Sequence, residues 1–326
     1  MVEHPLAAPH RAPLDVAVII PAFDAGQYVD QALASVAAQT RAPAVVVVAD
    51  DGSRDDTAER ASRWRDRLPV EVLRLGRNRG PGPARHQAIL SSDSAMLAML
   101  DADDLLLPDH LETMVATCER NPGLVTAWEL SWMLGRGIDV DRRRTRRAPP
   151  PDNPDAQLVA LLERNYVNFG FFPRALYDQA GGFRDFPVGE DWDLWIRMLR
   201  AGGRITRASH ATALHRVRPG SLSIDPRRTV GHGIAVLTAA VTEARTPRER
   251  AAAERGLRGL MARRRYYDVL ALAGDGHPWR ARLEAVRAPR GGGARIAAGL
   301  AAMAVAPRTS LRIERATRPY RVFGER

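Results

Sequence analysis

Short, wholly apolar runs alternate along this chain with segments whose apolar residues recur every three or four positions. Asp15 to Pro21 is apolar on both faces after its first residue, rich in β-branched side chains, and stopped by proline. That pattern predicts a buried parallel strand. Tyr28 to Ala38 places Val29, Leu33, Val36 and Ala37 at helical intervals. A second strand, Ala44 to Ala49, runs into Asp50-Asp51-Gly52-Ser53. A helix is predicted over Thr57 to Asp66, capped by Asp55 or Asp56. Val70 to Leu75 reads as a third strand and Gly76 to Pro83 as a Gly/Pro-rich loop. A helix follows over Ala84 to Ser91, with Arg85 at its opening. A fourth strand, Ala95 to Leu100, ends at Asp101.

This β-α-β-α-β-α-β order predicts an α/β fold whose parallel strands are joined by right-handed crossovers. Ligands of such sheets bind at the carboxyl ends of the strands. Asp50-Asp51 and Asp101 to Asp104 both fall at such ends, so the two acidic clusters converge on one edge. Further along, residues 136–156 hold arginines and prolines and read as a polar, mobile loop. A helix is expected near Ala156 to Arg164. Another starts at Gly189 or Glu190, with Trp192, Trp195, Ile196 and Leu199 on one apolar face. These tryptophans read as core. Residues 226–326 read as two or three helices broken at Gly274 to Pro278 and Gly291 to Gly293. Residues 1–14 read as a disordered tail.

Charge sharpens this division. The net charge of the 326-residue chain is +10. Residues 246–326 hold 18 Arg against 7 acidic residues, so the whole excess sits in the last quarter. A neutral body with a basic extension fits this segregation better than a nucleic-acid binder does. Cys118 is the only cysteine, which excludes an intramolecular disulfide and a cysteine-rich zinc site. No apolar run approaches the ~20 residues that span a bilayer, and Met1 to Pro13 lacks a signal-peptide core. The expectation is a cytoplasmic protein, at most peripheral on the inner face of the plasma membrane.

Asp101 and Asp103 straddle one residue after a buried strand. If extended geometry persists, both carboxylates share a side. Two hard oxygen anions suit Mg²⁺ or Mn²⁺, with positions left for water and phosphate. Asp104 or Asp109 fits helix capping instead. A carboxylate of Asp50 or Asp51 can accept from a base imide N–H or a ribose hydroxyl, or simply shape a capping turn with Ser53 and Asp56. Arg85 brings a cation to the same edge, where helix-opening N–H groups also favour anions. Arg77 and Arg79 read equally as solvent-facing. Asp191, off the apolar face at a helix start, is placed to remain ionised and act as a general base.

Taken in order, several segments resemble the family 2 glycosyltransferases, the inverting group with the GT-A fold. They are Val18 to Asp24, Ala49 to Thr57, Asn78-Arg79-Gly80 with Ala84-Arg85, Leu100 to Asp104, Gly181-Gly182-Phe183 and Gly189 to Trp195. The resemblance covers roughly residues 15–225. It implies a nucleotide-sugar-binding GT-A fold with a mixed, mainly parallel sheet over 15–225, followed by a basic helical extension over 226–326. It implies a transfer from a nucleotide-diphosphate sugar, UDP-linked by preference, to an acceptor hydroxyl in cell-surface polysaccharide, glycolipid or natural-product glycosylation. Pro21, Phe23, Asp24, Asp50 and Asp51 are then expected at the nucleoside. Arg85, Asp101, Ala102 and Glu190 are expected at the sugar diphosphate, Asp101 and Asp103 at the metal, and Asp191 as the base. The acceptor cleft is expected near Asn165 to Phe172 and the arginine-rich loop, with a lipid-linked or polysaccharide acceptor and no nucleic acid.

Two positions depart from the family pattern. His86 stands where asparagine follows the arginine. Arg218 stands where a histidine is usual, with His215 three residues earlier as the candidate third metal ligand. A lone histidine at a strand end is, however, more often structural. Two other readings compete. A sugar nucleotidyltransferase shares this layout but needs a Gly-rich loop after the first strand, and Pro21 to Gly26 lacks it. A non-catalytic nucleotide-sugar-binding protein would not need Asp51, Asp101, Asp103 and Asp191 together. The basic extension reads either as packed helices exposing arginines or as a surface for anionic lipid or a lipid-linked acceptor.

Overall fold

β1 (Val16–Ala22), β2 (Val45–Asp50), β3 (Val70–Arg74) and β4 (Met96–Met99) form the parallel half of the sheet. The computed structural model describes residues 15–133, 137–139, 150–184, 186, 189–217, 225–287, 294–307 and 309–311. The tail 1–14, most of the arginine-rich segment and Arg218 lie outside the described residues. Alternation along β1 explains why the run is apolar throughout. Val16, Val18 and Ile20 face α1 (Gly26–Ala37) and α2 (Thr57–Ser62). Ala17 and Ile19 face α3 (Pro81–Leu90) on the other side. Two core layers thus sandwich the sheet, as period two requires of a doubly covered strand.

The register sets the site edge. Ala22 pairs with Asp50 across β1 and β2, and Ile19 pairs with Met99 across β1 and β4. Phe23-Asp24, Asp50-Asp51 and Asp101 therefore leave neighbouring strands at one end.

Past β4 the sheet becomes mixed. β5 (Leu105–Leu106), β6 (Leu124–Met133), β7 (Gly137–Asp139), β8 (Phe171–Pro173) and β9 (Ile205–Val217) extend it. The order is β3-β2-β1-β4-β8-β6-β9-β5, with β7 on β6. β8 runs antiparallel to both β4 and β6, whereas the long β6–β9 pairing is parallel. The sheet is thus mixed and mainly parallel. The segment 136–156, expected as a loop, contains β7 near its start and the first residues of a helix at its end.

The remaining helices are α4 (His110–Arg120), α5 (Pro154–Glu163), α6 (Arg174–Gln179), α7 (Glu190–Arg200), α8 (Pro226–Thr242), α9 (Pro247–Gly274), α10 (Pro278–Val286) and α11 (Ala294–Val305). The region after 225 thus holds four described helices where two or three were expected. The missed break lies at Glu243 to Thr246. Thr246 accepts the Glu249 N–H at 3.1 Å, Glu249 accepts the Arg245 N–H at 2.9 Å, and Pro247 takes the first helical position. This is a reciprocal cap with proline where its missing N–H costs nothing.

Val230, Val236 and Leu237 of α8 and Ala252, Ala253 and Leu260 of α9 share a core layer with Leu161, Trp192 and Trp195. The later half of α9 packs instead with α10 and α11. Among the described residues no helix is long and apolar enough to cross a membrane.

Candidate active site

The Asp101 to Asp104 segment is a turn. The Asp104 N–H donates to the Asp101 carbonyl at 3.0 Å, so the extended spacing considered for Asp101 and Asp103 does not hold. The turn separates their tasks. Asp101 stays half-exposed at the cavity. Asp104 turns inward, where its Oδ1 accepts the Arg216 N–H at 2.7 Å and its Oδ2 lies 3.2 Å from His215 Nδ1. Burial pushes the Asp104 carboxyl up to about 6. Asp104 is thus no helix cap. Asp109, at the N-cap position of α4, makes no side-chain cap either and instead meets His210 Nε2 at 2.6 Å.

Arg216 is a site-shaping residue that sequence reasoning missed. It is fully buried, and its Nε donates to the Asp103 carbonyl at 2.6 Å. Its Nη2 donates to Gln31 Oε1 at 2.6 Å, and its guanidinium lies 5.1 Å from the Tyr28 ring centre. One side chain therefore fastens the turn to α1 and β9. The sequence signal is an arginine beside His215 at the end of a strand.

Arg85 is the hub. Its Nη2 meets Asp101 Oδ1 and its Nη1 meets Glu190 Oε1, both at 2.5 Å. Burial disfavours its charge, yet Asp101, Glu190 and Asp191 outweigh that and raise its pKa above the ordinary arginine value. Its buried Nε has no hydrogen-bond partner among the described residues. The helix carrying it opens at Pro81, four residues earlier than where Arg85 stands, so the anion-favouring helix end is at Gly80 to Gly82. There Gly82 lets Glu190 close in, since a Cβ at Gly82 would lie 2.8 Å from Glu190 Cγ.

Asp191 lies in the first turn of α7. Its Oδ1 accepts the Trp192 N–H at 2.6 Å and its Oδ2 lies 3.4 Å from Asn165 Nδ2. Helix position alone predicts a carboxylate that ionises readily. The structure reverses this. Burial and the neighbouring Glu190 charge push Asp191 up to about 6, against the opposing pull of Arg85 and the Trp192 N–H.

A cavity of about 250 Å³ joins these groups. Arg85, Asp101, Asp191 and His215 line it, together with Asp104, which the sequence assigned to the turn. Val167 to Gly170 form one wall, within the stretch expected for the acceptor cleft, and Phe169 holds a strained φ of 46° there. Phe183 and Trp195 form another wall. Trp195 is core, as expected, but also lines the cavity. Phe183 is held through a departure from the family pattern. Its N–H donates to the Tyr177 hydroxyl at 3.2 Å, and that hydroxyl lies 2.6 Å from His86 Nδ1. Burial lowers the His86 pKa.

The other expected residues stand beside the cavity, not on it. Phe23 is exposed, and the Arg54 guanidinium lies 5.6 Å from its ring centre. Asp24 adopts φ 46°, accepts the Arg54 N–H at 2.8 Å and pairs with the Arg54 side chain. Asp51 is buried and accepts the N–H groups of Arg79 at 2.9 Å and Gly80 at 2.7 Å, so it braces the loop ahead of α3. Burial raises its pKa. Asp50 Oδ1 accepts the Ser53 N–H at 3.2 Å. Ser53 itself accepts the Asp24 N–H at 3.0 Å rather than capping α2. Asp56, at the N-cap position, makes no cap and pairs with Arg60. Pro21 pairs with Ala49 in the sheet, and Ala102 is buried.

For a metal ion the donor set fits one arrangement and not another. Among the described residues no three His, Cys, Asp or Glu side chains converge to hold an ion. The expected set of Asp101, Asp103 and His215 is therefore no preformed cage, because His215 Nδ1 faces Asp104 across the turn. A hard divalent cation that takes one or two carboxylates and completes its shell with substrate phosphate and water still fits Asp101 and Asp103.

Residues 17–161 match the family model described as glycosyl transferase family 2. This segment is a family 2 glycosyltransferase domain. The succinoglycan biosynthesis protein ExoU of Rhizobium meliloti is 35% identical over 212 residues, 59% of this chain and 59% of that protein. The chain thus spans less than two thirds of that relative. Residues 1–349 of TarS from S. aureus, solved with UDP-GlcNAc, superpose with TM-score 0.61 at 18% identity, covering 94% of this chain and 92% of that one. The mannosyltransferase PcManGT of Pyrobaculum calidifontis, solved with GDP-Man and Mn²⁺, superposes with TM-score 0.58 at 19% identity, covering 97% and 86%. At these identities the two structures share the fold, which is GT-A. In this glycosyltransferase domain the cavity lies where Asp101 leaves β4, and residues beyond 161 supply Asp191, Phe183 and His215 to it.

Proposed function

We propose that the chain is an inverting glycosyltransferase that moves a sugar from a nucleotide-diphosphate donor to an acceptor hydroxyl. The observation that carries this reading is Asp191 in one cavity with Arg85 and Asp101. A base and a diphosphate-binding edge then share a space the size of a sugar. Asp191 takes the proton of the acceptor hydroxyl. The acceptor oxygen forms its bond to the anomeric carbon while the bond from that carbon to the β-phosphate oxygen breaks. The bonding pair leaves with the diphosphate. Attack from the face opposite the leaving group inverts the configuration.

Pro21, Phe23, Asp24, Asp50 and Asp51 hold the nucleoside at the ends of β1 and β2. Arg85, Asp101, Ala102 and Glu190 serve the sugar diphosphate. Asp101 and Asp103, with His215 as the candidate third, would hold Mn²⁺ or Mg²⁺, which neutralises charge gathering on the departing diphosphate. The TarS complex with UDP-GlcNAc supports a UDP-sugar donor. The name of ExoU, a succinoglycan biosynthesis protein, supports a role in polysaccharide synthesis. Residues 15–225 are assigned as the catalytic domain and 226–326 as a basic extension. The reaction is placed in the cytoplasm, where nucleotide-sugars are made, with the extension toward the membrane.

Asp191→Asn tests the base. Transfer should fall by about 10²- to 10⁴-fold while donor affinity, measured by calorimetry, stays within a few fold. Unchanged transfer would remove Asp191 from the mechanism.

A further inference from the structure

The last described helices carry a surface that the catalytic reading does not use. α10 packs inward through Ala281 and Ala285, both buried. On its opposite face Trp279, Leu283 and Val286 stand at i, i+4 and i+7, with relative exposures of 63%, 41% and 70%. Three large apolar side chains in one open stripe exceed the scattered exposure that needs no explanation. Val305 at the end of α11, 74% exposed, is adjacent, since Arg282 Nη2 donates to its carbonyl at 2.5 Å.

Arginines flank the stripe on both sides. At 100° per residue Arg282 lies on one side, and Arg280 and Arg287 lie on the other. All three are exposed. The Arg280 guanidinium sits 5.1 Å from the Trp279 ring centre. Among the described residues, the acidic neighbour of Arg287 is Glu284 at 3.9 Å. Glu284 is turned away from the stripe and pairs with Arg265 on α9. The stripe itself is thus bordered by cations, within a region holding 18 Arg against 7 acidic residues.

We propose that α10 is an interfacial membrane helix that docks the protein on an anionic lipid bilayer. Trp279, Leu283 and Val286 would enter the headgroup boundary, and Arg280, Arg282 and Arg287 would contact lipid phosphates. An apolar stripe between rows of arginine, with tryptophan at one end, is the chemistry of such a surface. A second copy of the chain fits less well, because an isologous contact would oppose these arginines to themselves. The inference stands on this face alone and not on the assignment of the base or the donor.

The test is co-sedimentation of the full chain with phosphatidylcholine vesicles, with and without phosphatidylglycerol. Binding should need the anionic lipid and weaken with salt. Changing Arg280, Arg282 and Arg287 together to Gln should weaken it on the order of a hundredfold, roughly fivefold per arginine. Trp279→Ala with Leu283→Ala should weaken it on the order of tenfold. Trp279→Phe should keep binding but lose the vesicle-induced blue shift of the emission. The Trp279 and Leu283 variants should melt with the parent, since both side chains are exposed, and a circular dichroism melt of the triple arginine variant, which also loses the Arg282 bond to Val305, shows whether it is folded at the assay temperature. No binding, or binding indifferent to both sets of substitutions, overturns the proposal. A stripe-dependent dimer seen by light scattering without vesicles would assign the face to a second copy instead. Failure of the parent protein to bind vesicles while its sugar transfer is intact refutes this inference and leaves the proposed function standing.

Discussion

Asp191 is the residue on which chemistry and stability meet. A carboxylate pushed up to about 6 is better matched to proton abstraction near neutrality than an ordinary one. If it is the base, kcat/KM should fall tenfold per pH unit below about 6 and level off above it. The same shift has a stability consequence. The folded state holds this proton more tightly than the unfolded chain, whose carboxyl titrates near the ordinary value of about 3.9. Between those values the folded state binds more protons, so stability falls as pH rises through that window, and the cost is complete above about 6. Asp191→Asn should therefore melt higher than the parent in metal-free buffer at about pH 8 and converge with it below about pH 4. Scanning calorimetry across this range checks the sign. A variant less stable than the parent at high pH would show that Asp191 is held by favourable contacts. At this scale Asp101, Asp191 and Arg85 could be read from the sequence, because each stands at a fixed offset from a strand or helix end. Arg216, His86 and the inward role of Asp104 could not. Their partners Asp103, Tyr177 and His215 are 91 to 113 residues away.

Among the elements, legibility follows burial. β1, β2 and β4 are buried on both faces, so they appear as continuous apolar runs, and the edge strand β3 carries Glu71 and Arg74 on its exposed positions. β5 and β8 are two and three residues long, too short for any period. β9 is long but carries Thr212, His215 and Arg216 among its apolar positions, and partners elsewhere satisfy them. His110 Nδ1 meets Thr212 Oγ1 at 3.0 Å, and the Asp101 turn takes the other two. Helix packing gives a sharper test. A Cβ at Gly256 of α9 would lie 2.2 Å from the Leu162 carbonyl oxygen and 2.8 Å from Leu237 Cδ1. Gly256→Ala should gain about 1 kcal/mol in helix propensity and lose about 2–3 kcal/mol or more to overpacking. Urea unfolding should show a net loss. A stabilised variant would mean that α9 does not press on α5.

For the whole molecule, the parallel half of the sheet supplies the ends at which β1, β2 and β4 release their acidic residues. The mixed half then folds back to close the cavity with Phe169, Phe183, Asp191 and His215. Helices α8 and α9 continue the same core, and buried Arg200 and Glu249, 2.5 Å apart, tie α7 to α9. The basic extension was legible as a charge imbalance, but its packing was not. Ala252, Ala253 and Gly256 are buried through close approach, which leaves no strong apolar signal. The central claim is that this cavity transfers a sugar with inversion. The direct measurement is proton NMR of the product formed from a panel of α-linked UDP- and GDP-sugars, with Mn²⁺ and a polyprenyl-linked sugar acceptor. A β-linked product with release of nucleoside diphosphate is expected. Retained α configuration, or release of nucleoside monophosphate or pyrophosphate, would contradict the account.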